Sequence, residues 1–128
     1  MSPETQKFKW RALWLSIGWL LVAAIVYLSL TPTPIELPGD SGDKYGHVAA
    51  YGVLMFWFTQ IYSASPRRMA VAISLALLGI GLEFVQGYTG YRTFDRADMV
   101  ADVIGIVLGW LVGPPRTMNV LTWIEALL

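Results

Sequence analysis

The chain is divided into four long apolar runs, separated by prolines, glycines and charged residues. Each run approaches the roughly 20 residues that a helix needs to cross a bilayer. The first run stops at Thr31-Pro32-Thr33-Pro34, where the prolines cannot continue a helix. Hydrophobic residues make up 55% of the 128 residues and charged residues 14%, which is typical of a membrane protein. We therefore predict one all-α membrane domain over residues 1–128, a four-transmembrane-helix bundle with spans at about 13–30, 45–62, 69–85 and 97–113.

The first apolar run also has features of a secretory signal peptide, because Lys7, Lys9 and Arg11 precede it. Its apolar core is longer than that of a typical signal peptide, and no small-x-small cleavage motif follows it. We therefore interpret this run as an uncleaved membrane anchor.

The basic residues predict the orientation of the bundle. Loops that carry more Lys and Arg lie on the cytoplasmic side. With the N-terminus in the cytoplasm, six of the nine Lys and Arg residues are inside. These six are Lys7, Lys9, Arg11, Arg67, Arg68 and Arg116, against Lys44, Arg92 and Arg96 outside. We expect a multi-pass protein of the bacterial inner membrane with both termini cytoplasmic, and a short interfacial helix in the tail 116–128.

Three polar stretches interrupt or flank the last three apolar runs. A charged side chain at the centre of a bilayer costs about 2.5–3.5 kcal/mol or more, so such residues usually have a function. Within each stretch residues recur at helical spacings and share one face, such as Asp43, His47 and Tyr51, with Lys44 beside them. All three stretches are expected at the extracytoplasmic ends of their spans, where they would form one shallow site. They are Asp43-Lys44-x-x-His47-x-x-x-Tyr51, Glu83-x-x-Gln86 and Arg92-x-x-Asp95-x-x-Asp98-x-x-x-Asp102.

Several of these residues also have simpler interpretations. Asp43 could be the N-cap of the second helix, and Asp95 or Asp98 that of the fourth. His47 near a helix end could face lipid head groups, and Tyr51 could belong to the core or to an aromatic belt. Asp102 and Glu83 lie within or at the edge of apolar runs, where capping does not account for them.

A second pattern, Gly105-x-x-x-Gly109-x-x-x-Gly113, follows the last aspartate. Small residues at this spacing let helices approach closely. The pattern therefore predicts a packing face, used either within the monomer or between the subunits of a homo-oligomer.

Taken in order, these motifs resemble the VanZ-like family of small bacterial membrane proteins. The resemblance covers roughly residues 13–113, and it rests on the three polar stretches followed by Gly-x-x-x-Gly. One departure is Asp102, where members of the family usually carry Asn. The resemblance implies a link to the cell envelope, since the namesake is associated with resistance to the glycopeptide teicoplanin. It brings no settled reaction with it.

Three hypotheses of function follow. The first is a protein that binds or modifies an envelope lipid, a lipid-linked precursor or a glycopeptide. The second is a membrane-embedded hydrolase or transferase acting on a lipid-linked phosphate, with His47 oriented by Asp43 as acid or base and Glu83 as a second carboxylate. The third is an oligomeric small transporter or structural protein. In the first hypothesis Lys44, Arg92 and Arg96 hold a phosphate, and the acids orient these bases or meet an amine. The predicted ligand-binding residues are Lys44, Tyr51, Gln86, Arg92, Asp95, Asp98 and Asp102.

Other classes are disfavoured by the sequence. The net charge is zero, and topology accounts for the basic residues, so we expect no nucleic-acid partner. Glycine-rich phosphate loops and dinucleotide fingerprints are absent, and we expect no cofactor. A divalent metal on Asp95, Asp98 and Asp102 is conceivable, but their spacing also suits an ordinary solvated face, and no metal site is assigned.

Overall fold

The computed structural model describes residues 8–33, 38–39, 42–90 and 94–128. Within these residues all regular secondary structure is helical, as predicted. Four long helices are followed by a short one: α1 (Arg11–Leu30), α2 (Gly42–Ile61), α3 (Ser65–Thr89), α4 (Arg96–Leu111) and α5 (Val120–Leu127).

Local signals in the sequence account for the helix ends. Pro66 stands in the first turn of α3, where its missing N–H costs nothing. That helix is followed by Gly90, whose φ of 81° is the left-handed conformation that glycine adopts without strain. Asp95 is the N-cap of α4 and accepts a hydrogen bond from the Ala97 N–H at 2.9 Å. Of the two capping aspartates considered for this helix, the structure therefore uses Asp95 and not Asp98.

The second and fourth helices form the central pair of the bundle, and glycine sets their distance. A Cβ added at Gly105 would overlap the carbonyl oxygen of Val48, and one at Gly109 would overlap that of Gly52. Gly113 lies equally close to the side chain of Thr59. The glycine face is therefore used within the chain, where α2 covers it. Of the two uses predicted for this face, packing within the monomer is therefore the one observed, and a homo-oligomer stays a prediction.

Helices α1 and α3 lie outside this pair. Among the described residues they are the two helices that are long and apolar enough to cross a membrane by length and composition. The other two long helices are less suited to cross a membrane by these criteria. Helix α4 has only 16 residues, and α2 begins with the polar residues Asp43 and Lys44. Of the four predicted membrane spans, the first and the third are thus candidates by length and composition alone.

The opposite end of the bundle from the polar stretches is closed by side-chain to backbone hydrogen bonds. Arg68 is 5% exposed and donates to the carbonyl oxygens of Thr59, Tyr62 and Pro114 at 2.8, 2.7 and 2.6 Å. It therefore joins the end of α2, the start of α3 and the loop after α4.

The short helix α5 packs on the same end. Its Leu121 is fully buried, and Glu125 accepts hydrogen bonds from the backbone N–H groups of Lys9 and Trp10 and from the Trp14 indole at 2.8, 3.0 and 2.6 Å. The two backbone N–H groups stand just before α1, where no preceding helical turn supplies an acceptor. The predicted tail helix is present, and it is tied to the bundle through Glu125.

Candidate functional site

Three helices bring seven ionisable members of the polar stretches to one end of the bundle. The start of α2, the end of α3 and the start of α4 meet there because α2 and α4 pack through their glycines and α3 packs against α4. We call this group the polar cluster. It consists of Asp43, Lys44, His47, Glu83, Asp95, Asp98 and Asp102.

Lys44 is the centre of the outer part of the polar cluster. Its ammonium group donates to Asp43 Oδ2 and Asp95 Oδ2, both at 2.7 Å, and to Asp98 Oδ1. The hydrogen bond from Lys44 holds the pKa of Asp95, which lies just outside α4, below its usual range. Three carboxylates therefore already compensate the one positive charge of Lys44.

His47 lies between two carboxylates deeper in the polar cluster. Its Nδ1 is 2.7 Å from Asp102 Oδ1, and its Nε2 is 3.6 Å from Asp98 Oδ2. If Asp102 is ionised it only accepts hydrogen bonds, and the His47 Nδ1 is then the donor; a neutral ring in that state has its lone pair on Nε2. The sequence predicted Asp43 as the residue that orients His47. In the structure that residue is Asp102, because the Asp43 carboxylate is bound to Lys44.

Asp102 fits against α3 through a glycine that the sequence analysis did not single out. A Cβ added at Gly79 would lie 2.6 Å from Asp102 Oδ2, so only glycine leaves room for this carboxylate. Asp102 is 2% exposed. Gly79 is one helical turn before Glu83, and this i, i+4 spacing is the signal that could have placed it on the same face.

Glu83 links two of the helices that form the site. It is 1% exposed, and its Oε1 accepts a hydrogen bond from the backbone N–H of Asp95 at 2.6 Å. The end of α3 thereby holds the residue that caps α4. Glu83 thus positions Asp95, and through Asp95 it positions Lys44.

Three other predicted site residues that the structure describes are not members of the polar cluster. Tyr51 is 2% exposed and belongs to the apolar core. Gln86 donates to the carbonyl oxygen of Ser29 at 2.7 Å and so ties α3 to the end of α1. Arg96 is exposed at the first position of α4. Arg92 lies outside the described residues.

The acidic residues also offer a possible arrangement for a cation. One carboxylate oxygen each from Asp43, Asp95 and Asp98 lies within 4.8 Å of the others. The Lys44 ammonium bonds to all three of these residues and holds the place that a metal ion would take. Asp102, which the sequence grouped with Asp95 and Asp98, instead faces His47.

Comparisons with known proteins place this arrangement in a family. The model of the VanZ/LLP1 family matches residues 4–117. An uncharacterised protein of the fission yeast Schizosaccharomyces pombe, C11E3.10, is 32% identical over 115 residues, which cover 88% of this chain and 69% of the yeast protein. No solved structure matches the chain significantly. Since the family match extends over all four long helices and the polar cluster between them, the chain belongs to the VanZ/LLP1 family.

Proposed function

We propose that this VanZ-family protein binds the head group of an envelope lipid at the polar cluster. In this proposal all four long helices cross the bacterial inner membrane, and both termini lie in the cytoplasm. The observation that carries the proposal is an excess of carboxylates in a partly exposed site at the end of apolar helices. Association of the family namesake with teicoplanin resistance would then reflect a change in envelope lipids or lipid-linked precursors.

The charges of the polar cluster favour a zwitterionic head group. Five carboxylates face one ammonium and one imidazole, so a ligand that brings a primary amine improves the balance. Asp98, with 10% of its side chain exposed, is the carboxylate between Lys44 and His47. Arg96 is exposed one residue after the Asp95 cap and can meet a phosphate by charge-assisted hydrogen bonds. An ethanolamine phospholipid has both groups.

The yeast relative supports a phospholipid over a peptidoglycan precursor. Yeast cells make no peptidoglycan, whereas ethanolamine phospholipids are common to yeast and bacteria. A ligand that both kinds of cell contain is therefore the simpler choice for a protein family with members in both.

Lipid retention measured by native mass spectrometry tests the proposal. The protein is released from nanodiscs that contain equal amounts of phosphatidylethanolamine and phosphatidylcholine, whose quaternary amine has no N–H group to donate. We expect the wild type to retain phosphatidylethanolamine in preference, and Asp98→Asn to lower this preference about tenfold, since one charge-assisted contact contributes about 1.4 kcal/mol or more.

The matched control is Glu125→Gln, which removes a carboxylate at the other end of the bundle and should leave the preference unchanged. Equal retention of the two lipids by the wild type would contradict the proposal, and so would an equal loss in both variants.

A second candidate function is catalysis, and the hydrogen bond between His47 Nδ1 and Asp102 Oδ1 favours it. With Asp102 fixing the proton on Nδ1, His47 Nε2 could take a proton from water. The water oxygen would then bond to the phosphorus of a lipid phosphodiester while the bond from phosphorus to the leaving alcohol breaks. The proton held by Nε2 would pass to the oxygen of that alcohol.

Product analysis distinguishes this reaction from binding alone. Purified protein is incubated with phosphatidylethanolamine, and the released ethanolamine or diacylglycerol is measured. Catalysis predicts a product that His47→Gln abolishes and that Asp102→Asn retains in part, because an amide oxygen can still accept from Nδ1. If the wild-type protein binds the lipid but releases no product, catalysis is contradicted and binding remains as the proposed function.

A further inference from the structure

A groove between α1, α2 and α3 lies at the opposite end of the bundle from the polar cluster. Its volume is about 450 Å³. Trp19 of α1, Phe58 of α2 and Leu75 of α3 form its walls, together with other mostly apolar side chains. Ser74 also lines it, but the Ser74 hydroxyl donates to the Ala70 carbonyl oxygen at 2.7 Å. The middle of the groove therefore presents hydrocarbon and a satisfied hydroxyl.

The length of the groove matches one leaflet of a bilayer. Arg67 marks one end and Leu78 the other, and they are about 16 Å apart along α3 at 1.5 Å per residue. Half of a typical hydrocarbon core is about 15 Å thick. The groove therefore extends from one membrane interface to about the bilayer midplane, which is the length of one acyl chain.

Two arginines stand at the interfacial end of the groove. Arg67 is an exposed lining residue in the first turn of α3. The Arg11 guanidinium lies 5.5 Å from the ring centroid of Tyr62, which also lines the groove. Neither arginine takes part in the ion pairs formed within the described residues. Two positive charges thus remain next to the opening of an apolar groove.

We propose that this groove is a binding site for an anionic glycerophospholipid. One acyl chain lies along α3 between Trp19 and Phe58, and the phosphate is held by Arg67 and Arg11. The site is separate from the polar cluster, which has the opposite charge and lies at the other end of the bundle. The proposal rests on the chain being embedded in a bilayer, but it does not depend on what the polar cluster binds.

Native mass spectrometry of protein released from nanodiscs of phosphatidylglycerol and phosphatidylcholine, in equal amounts, tests the site. We expect the wild type to retain one phosphatidylglycerol, and Arg67→Gln to reduce the retained fraction about tenfold, because a charge-assisted bond to phosphate is lost. Arg116→Gln is the control, since Arg116 is an exposed arginine near the same end that does not line the groove. Equal retention by Arg67→Gln and Arg116→Gln would overturn the assignment of the phosphate.

A second pair of variants tests the acyl-chain part of the site. Ser74→Trp should fill the groove and abolish retention of phosphatidylglycerol, whereas Ala23→Trp places the same side chain at an exposed position of α1 away from it. Unchanged lipid retention in Ser74→Trp would overturn the proposal. A dimer of the wild type that is lost in Ser74→Trp would also overturn it, because a second copy of the chain would then occupy the groove. Ser74→Trp should leave the ethanolamine preference of the polar cluster intact, so failure of one site is distinguishable from failure of the other.

Discussion

At the scale of single residues, shared carboxylates define the polar cluster. Asp98 contacts both Lys44 and His47. Asp95 caps α4, accepts a hydrogen bond from Lys44, and donates its backbone N–H to Glu83. A change in one member therefore leaves charges or hydrogen-bonding groups of the others without a partner. The loss of a central residue should cost more than an exposed ion pair would.

Lys44→Met should destabilise the protein by about 1–2 kcal/mol, because three carboxylates lose their counter-charge in a site that is only partly exposed. Thermal unfolding in mild detergent measures this. Arg96→Met, an exposed cation at the start of α4, should be nearly neutral. Adding Asp98→Asn to Lys44→Met should restore part of the loss, and a Lys44→Met protein as stable as the wild type would show that the ammonium is not the centre of the cluster.

Arg68 and its neighbour Arg67 provide a second comparison of single residues. Arg68→Met leaves three carbonyl oxygens without their charged donor, so we expect a loss of about 2–4 kcal/mol. Arg67→Met changes an exposed side chain and should stay within about 0.5 kcal/mol in detergent. Equal effects of the two changes on the unfolding midpoint would contradict the claim that the hydrogen bonds of Arg68 hold α2, α3 and the loop after α4 together.

At the scale of helices, the contact between α2 and α4 fixes the geometry of the site. The glycines of α4 bring its backbone against that of α2, which sets the position of Asp98 and Asp102 relative to His47. Spacing along a single helix could not reveal this pairing. Asp43 and His47 are four residues apart on α2, yet the partner of His47 comes from α4, because the partner depends on how the two helices are rotated against each other.

Gly105→Ala should push α2 and α4 apart and destabilise the protein by about 1–3 kcal/mol, since the new methyl group would overlap the Val48 carbonyl oxygen. Gly81→Ala is the matched change in α3, where the added methyl meets nothing within 4 Å. It should be neutral or stabilising by up to about 1 kcal/mol. If thermal unfolding gave the same result for both, helix propensity rather than packing would explain these glycines.

The contact between α5 and α1 predicts a dependence on pH. Burial raises the pKa of Glu125, but hydrogen bonds from Trp10, Trp14 and Lys9 outweigh burial and leave the pKa below its usual value. The unfolded-state pKa of a glutamate is about 4.3. Because the folded-state pKa of Glu125 is lower, its carboxylate stabilises the contact fully at pH values above the unfolded-state pKa. This stabilisation is lost as the pH falls through the folded-state pKa. Hydrogen-exchange protection factors in residues 120–127 should thus stay constant from neutral pH to about pH 5 and decrease below about pH 4.

Glu125→Gln removes the titrating group at this contact. Its protection factors in α5 should be low at neutral pH and should not decrease further in acid. A variant that titrates like the wild type would assign the transition to another group.

At the scale of the whole molecule, the apolar runs were sufficient to predict the helices but not all of their contacts. The predicted spans 13–30 and 97–113 correspond closely to Arg11–Leu30 and Arg96–Leu111, because prolines and a capping aspartate mark their ends in the sequence. The meeting of the three polar stretches followed from topology. What could not be predicted is the role of each member, such as Gln86 binding the end of α1, since side-chain partners depend on packing that a single helix does not encode.

A structure of the protein crystallised from a lipidic phase that contains phosphatidylethanolamine tests the central claim most directly. We predict that the four long helices span the lipid layer and that head-group density lies in the polar cluster, with the amine against Asp98 and the phosphate towards Arg96. An empty polar cluster, or a bundle in which only α1 and α3 contact lipid chains, would contradict the proposed four-span lipid-binding protein.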